Sequence, residues 1–476
     1  MAIFSDFNFY NRCGVIMVEQ VNFRTRQYNY NTINSVKSAV NTSDVKNLSV
    51  TPTFTASVPI TSKAPQVASL KMRTTLDSKE EKNEYTTILS QLDKNGRKIV
   101  DNLLKTGVLL NSDSNDHSTV LDNLYKIATE PRAEGLDSKT MLKDTIAAIA
   151  YPYIITQQFG DIPPEYQQRV VAANNENKTN LIDIWQGSQD VNVEHSGTCV
   201  AASTEFKLAK QLPAEFARFA QELSSPKLSV NKTIGLNNLA DETLNAIWLL
   251  NAFEIPFETN NFNTAKLKFA PDKNAIFRAK IQTTNKDPYE RTPLDVLMQS
   301  TFMQIGSQQS YNSLTDKRAG KFNQNDKGLI EFEKTFTESV VFDKNILSVT
   351  YQTVDENARL VGYETDLGTM KKHLTTALDE GENVIIGYTQ TDNNNIIVNG
   401  HEITIVGYKT DDKGKVTFIC NDTDDNIPRA IEYSEDYLLP KIHHAALPKH
   451  IVEGDLNIVP NWTEGIDMYK QMKGAA

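Results

Sequence analysis

Cysteine is scarce in this chain of 476 residues: three thiols, Cys13, Cys199 and Cys420, are odd in number and far apart. That excludes a disulfide framework and fits a reducing compartment or a protein that does without such bonds. No CxxC pair and no HExxH occurs, and His443 and His444 are adjacent. Neighbours on a regular element do not easily aim at one ion, so no metal and no other cofactor is expected. Apolar runs long enough to cross a bilayer are also missing. The N-terminal stretch MAIFSDFNFYNRCGVIMVEQ lacks the basic region, continuous apolar segment and small-residue cleavage site of a signal peptide. The expectation is a protein with no integral membrane segment, cytoplasmic or exported by a non-classical route. Clustered Lys and Arg are absent too, and a formal net charge of −11 argues against nucleic acid as the main partner, because phosphate binding needs concentrated positive charge.

What is present is a near-average globular mixture, 39% hydrophobic and 23% charged, enough for a sizeable core. Its length exceeds what one compact core usually holds, so two or three units are expected. Residues 1–75 are rich in Asn, Ser, Thr, Val and Tyr, with a Pro-punctuated stretch from Ser49 to Pro65, which predicts a flexible or disordered leader. The pattern changes at Ser78, which forms a capping box with Glu81 ahead of Tyr85, Ile88, Leu89 and Leu92 at helical spacing. Three more runs follow, Ile99 to Leu104 closed by Gly107, Val120 to Ile127 before Pro131, and Met141 to Ile149 before Pro152. Residues 76–152 therefore read as a small helical module, a candidate tether or site for a protein partner. Residues 153–180, with Pro163-Pro164 and the polar run AANNENKTN, read as a linker.

The most reactive side chain then meets the most favourable backbone position. In Ser196–Ser203, SGTCVAAS, a small-residue turn leads into an apolar run with Cys199, Ala202, Phe206 and Ala209 at helical spacing. The helix predicted here puts Cys199 near its positive end, where a thiolate nucleophile is favoured. A small buried core cysteine is the plain alternative, and a second motif has to overturn it. Further helices are predicted from Pro213 to Leu223, Asp241 to Phe253, and Thr292-Pro293 to Gly306. The Gln, Asn, Ser and Lys rich stretch from Ser307 to Asp326 is expected to be a surface loop. Beyond it an amphipathic helix, Leu367 to Leu378, is closed by Gly381, and strands come next at Val384–Tyr388, His401–Tyr408 and Val416–Cys420.

The second motif is GHEITIVGY, Gly400 to Tyr408, succeeded by Asn421 and Asp422. Cysteine at a helix start, Gly-His on a strand ending in TIVGY, then Asn or Asp after the next strand resembles the papain-like cysteine peptidases over residues 181–460. The resemblance implies an α+β, two-lobe papain-like fold, a helical lobe beside a twisted antiparallel sheet, preceded here by the helical module and the leader and trailed by a tail at 461–476. It also implies thiol-dependent hydrolysis of peptide or isopeptide bonds on a peptide or protein substrate. In that family the cysteine attacks the scissile carbonyl, the histidine exchanges the proton and the third residue orients the ring. Carried over, these roles fall to Cys199, His401 and one of Asn421 and Asp422. His195, on the loop before Cys199, is a competing base.

Two features depart from the family pattern. The family's oxyanion glutamine lies about six residues before the cysteine, whereas Gln186 and Gln189 lie thirteen and ten before it. Glu402 stands where a small apolar residue is usual. An inactive papain-like fold that binds peptides or partners, and a transglutaminase-like acyl transferase, are the alternatives. For the third residue, strand alternation decides: an even sum of paired numbers puts Asn421 on the His401 face, an odd sum Asp422. The turn Asp411 to Gly414 pairs Asp411 with Lys415, an even sum favouring Asn421. Against it, bacteriocin-processing members of the papain-like group carry an aspartate in an Asn-Asp-Pro stretch, which Asn421-Asp422-Thr423 resembles.

Overall fold

A computed structural model describes residues 72–157, 164–176, 197–283, 291–318, 328–424 and 428–454. Residues 1–71, 158–163, 177–196 and the tail, and with them Cys13, Gln186, Gln189 and His195, lie outside the described residues.

Polar caps stand at each helix start of the first unit. Ser78 and Glu81 cap Lys79–Gln91, Asp93 caps Lys94–Lys105, Thr119 and Asp122 cap Val120–Thr129, and Asp137 caps Ser138–Ala150. After the second helix Gly107 sits at φ 80°, in the left-handed region that a helix-ending residue adopts. Ile88, Val100, Leu103, Leu121, Leu124, Ile127, Met141 and Ile146 are buried at the helical spacing that predicted them.

These helices are not a separate body. Their apolar side chains belong to one cluster with Phe216, Phe219, Phe302 and the sheet residues Ile386 and Ile403. Polar contacts run across the same junction. Asp113 accepts a 2.8 Å bond from the Ala214 amide at the start of helix Pro213–Leu223, and Asn115 N donates to Glu215 at 2.9 Å. Burial pushes the Asp113 carboxyl up to about 6. Glu215 is in turn held by buried Arg218 at 2.8 Å and Lys232 at 2.9 Å. Part of the stretch read as linker is structured as well: Pro164–Asn175 is a helix opened by Pro164, and Thr156 and Gln157 are buried. A proline at the first helical position preorganises the turn, so Pro164 starts an element where the sequence suggests only a break.

The expected surface loop is the other departure. Residues 311–318 form a short hairpin, Tyr311–Asn312 against Lys317–Arg318, in which Asp316 is buried between Arg278 and Arg291 at 3.2 Å each. Arg318 pairs with Glu333. Polar composition suggested solvent, but ion pairing among these groups lets them be buried. Residues 319–327 lie outside the described residues.

The second half is an antiparallel six-stranded sheet. Its spatial order is Ile431–Ser434, Val416–Asn421, Ile397–Thr410, Val384–Thr391, Ile442–Pro448 and Ile346–Thr350. Helices Cys199–Gln211, Glu331–Phe342 and Leu367–Asp379 pack against it. A smaller three-stranded sheet, Val230–Gly235, Thr264–Phe269 and Phe257–Glu258, stands beside the helices. The molecule is thus α+β, as expected, with the cysteine helix and the histidine strand in direct contact. Among the described residues no helix is long and apolar enough to cross a membrane.

Candidate active site

Cys199 is the first residue of helix Cys199–Gln211, and the turn before it passes through Gly197 at φ 68°, a conformation a side chain would strain. Thr198 is the N-cap but does not cap with its side chain. Its hydroxyl instead donates to Gln299 Oε1 at 2.7 Å. The thiol therefore stands at the positive end of the helix, beside the amides of its first turn.

Across from it, His401 Nε2 lies 2.7 Å from Asp422 Oδ1, with side-chain exposures of only 15% and 20%. With Nε2 on the carboxylate, Nδ1 is the ring nitrogen left for the thiol. Burial disfavours the charged ring, yet the Asp422 carboxylate, the bond to it, the Cys199 thiol as hydrogen-bonding neighbour and the more distant Asp424 together raise the His401 pKa well above its ordinary value. Proximity of opposite charge outweighs desolvation here.

The turn at Asp411–Gly414 favours Asn421 on the His401 face, yet Asp422 stands beside the ring, and the register explains why. Next to the turn the pairing is even, as expected: Thr410 with Val416, Lys409 with Thr417, Tyr408 with Phe418. Between Ile405 and Gly407 a bulge at Val406 inserts one residue, and beyond it Ile405 pairs with Cys420 and Thr404 with Asn421. An extra residue reverses the facing of everything past it. Asn421 consequently lies buried on the face of Thr404, and Asp422 turns to His401.

A polar relay fixes this corner. Asp424 N donates to Asp422 Oδ1 at 2.9 Å, and Thr423 O accepts from Thr156 Oγ1 at 2.9 Å and Gln157 N at 3.0 Å. Gln299 Nε2 donates to Thr156 O at 2.9 Å while its Oε1 holds Thr198. Hydrogen bonds therefore link the residue before the thiol, through Gln299 and Thr156, to the residue after the aspartate. Sequence reasoning missed Gln299, because one glutamine within a Met and Phe helix carries no distinguishing signal.

Cys420 shares this region but is fully buried, and burial together with the Asp422 carboxylate drives its thiol pKa far up. Of the two described thiols, Cys199 is the accessible one. The two surface depressions around Lys210, Glu382 and Asp343 lie at the other end of the cysteine helix, away from the thiol.

Glu402, the departure from the family pattern, points into a separate cluster. Lys334 Nζ stands 3.1 Å from one carboxylate oxygen and His444 Nε2 3.0 Å from the other. Burial alone would raise its pKa, but Lys334 and the His444 ring hold it at about 2. Neighbouring His443 and His444 do converge on one group, Glu331, against the expectation from their adjacency. The cause is a bulge: Ile442 pairs with Tyr388 but His444 with Gly387, so the strand carries an extra residue there and the alternation of facing is broken. Compared with known proteins, the chain matches no family model, no curated protein and no solved structure.

Proposed function

We propose that the chain is a papain-like cysteine peptidase that hydrolyses peptide or isopeptide bonds through an acyl-enzyme. The observation that carries this reading is His401 held between the Asp422 carboxylate and the Cys199 thiol at a helix start. Thiolate and imidazolium form when the Cys199 proton passes to His401 Nδ1. The sulfur attacks the scissile carbonyl carbon, and amides of the first helical turn stabilise the oxyanion. Collapse expels the amine, which takes the proton from Nδ1 and leaves a thioester. Water, deprotonated by His401, attacks that thioester; the acid leaves and the thiol is regenerated. Asp422 keeps the ring in the one orientation that serves both halves.

The test is Cys199→Ala. On this reading it lowers peptide hydrolysis by on the order of 10⁴-fold or more, while circular dichroism and melting temperature stay at the wild-type values, because a partly exposed thiol contributes little packing. Unchanged turnover in the folded variant would remove the thiol from the mechanism.

A further inference from the structure

We propose that Glu331, His443 and His444 form a binding site for one divalent transition-metal ion of the zinc class. Glu331 Oε1 lies 2.8 Å from His443 Nδ1 and 3.1 Å from His444 Nδ1, and the two ring nitrogens are 3.0 Å apart. Three polar atoms thus form a closed triangle, every side at hydrogen-bond length.

With Glu331 ionised, as its two ring neighbours favour, no arrangement of protons on the rings satisfies all three sides. If both Nδ1 atoms carry hydrogen, each donates to the carboxylate, but the two N–H groups then confront one another. If only one carries hydrogen, it can reach the carboxylate and the other nitrogen, and the third side becomes lone pair against lone pair. A cation among the three atoms, with every lone pair turned to it, satisfies them together. Ligands around a tetrahedral zinc ion at bond lengths of 2.0–2.2 Å are about 3.3 Å apart, close to the spacings seen. Two imidazole nitrogens and one carboxylate oxygen are donors that suit zinc and its first-row neighbours, and they leave a fourth position for water.

The surroundings are those of a metal ligand. His444 gives its other nitrogen, Nε2, to Glu402 at 3.0 Å, and Lys334 holds Glu402 from the far side at 3.1 Å. A carboxylate on the distal N–H fixes the tautomer whose Nδ1 lone pair faces the ion. Thr350 Oγ1 donates to the second oxygen of Glu331 at 3.2 Å, leaving Oε1 toward the rings. Gly387, paired with His444, permits the ring's position: a Cβ there would fall 2.2 Å from His444 Cε1. The bulge that aligns the two histidines and the glycine that admits one of them are separate features serving one convergence. Since Glu331 opens helix Glu331–Phe342 and the histidines lie on strand Ile442–Pro448, a bound ion would fasten that helix to the sheet, independently of the cysteine site.

The experiment uses the full-length Cys199→Ala protein, so that the thiol of the proposed active site cannot bind the ion. After loading with zinc and dialysis into zinc-free buffer, it should retain one zinc per chain and melt at a higher temperature than the stripped protein. His443→Ala and Glu331→Gln should each weaken binding more than about a hundredfold, beyond what loss of an outer partner costs. Cobalt in the Cys199→Ala protein, needing no further variant, should give visible d–d bands without a thiolate-to-metal charge-transfer band. No retention, retention unchanged in both variants, or a charge-transfer band from Cys420 would overturn the site.

Discussion

At the scale of single residues, the sequence singled out side chains that the structure brings together, where motifs concentrate them. Cys199 stood out because a small-residue turn meets an apolar helical run, and His401 because Gly-His leads an alternating TIVGY run, inside a strand that begins earlier, at Ile397. The third residue did not, since Asn421 and Asp422 are adjacent and only register separates them. The structure yields a directional expectation. Asp422→Ala should lower kcat by about 10²- to 10⁴-fold, and Asn421→Ala, which loses a buried amide on the opposite face, should cost turnover less. The His401 ring signals in NMR add an independent reading. With its pKa raised by Asp422, the imidazolium contributes stability that is fully present below the ordinary value near ~6.5 and is lost as pH rises through the higher folded value. Asp422→Asn should move that titration down. A titration unmoved by Asp422→Asn, or a larger kinetic loss from Asn421→Ala, would contradict the assignment.

Elements were legible where periodicity and caps agree. The capping box at Ser78, the helix start at Thr292-Pro293 and the hairpin turn at Asp411–Gly414 appear where the sequence placed them. Helix Glu331–Phe342 has no polar face, since Phe332 through Phe342 are all buried. Its charged Glu333, Lys334 and Glu338 are paired internally, with Arg318, Glu402 and Lys207, so no amphipathic pattern announced it. Bulges are the other hidden feature, because a single inserted residue leaves composition and alternation outwardly intact. The one at Val406 sets Asp422 rather than Asn421 beside His401, and the one at His443-His444 converges two rings. Gly387 opposite the second bulge gives the element-scale prediction. Gly387→Ala drives a Cβ into the His444 ring and should destabilise the protein by about 1–3 kcal/mol, the usual cost of overpacking. Chemical denaturation measures it; an unchanged midpoint would show that the ring yields freely.

For the whole molecule, the division at residue 152 follows composition but not packing. Length and apolar spacing reported four helices without saying what covers them. The structure joins them to helix Pro213–Leu223 through one apolar cluster and through Asp113, Asn115 and Arg132. Such contacts are long-range in sequence, which single-chain periodicity does not carry. Removing residues 1–151 should therefore bare the apolar side of that helix and leave an insoluble or unfolded chain. A soluble, cooperatively melting 152–476 fragment would show instead a detachable tether or, if more active, an occluding segment. The central claim is tested most directly on the intact chain, with an electrophilic peptide probe and mapping of the modified residue across a pH series. The account predicts one label, on Cys199, with alkylation still fast well below the ~8.5 at which a free thiol ionises, and slowed there by His401→Ala. A label on Cys13 or Cys420, or no fast labelling at neutral pH, would contradict it.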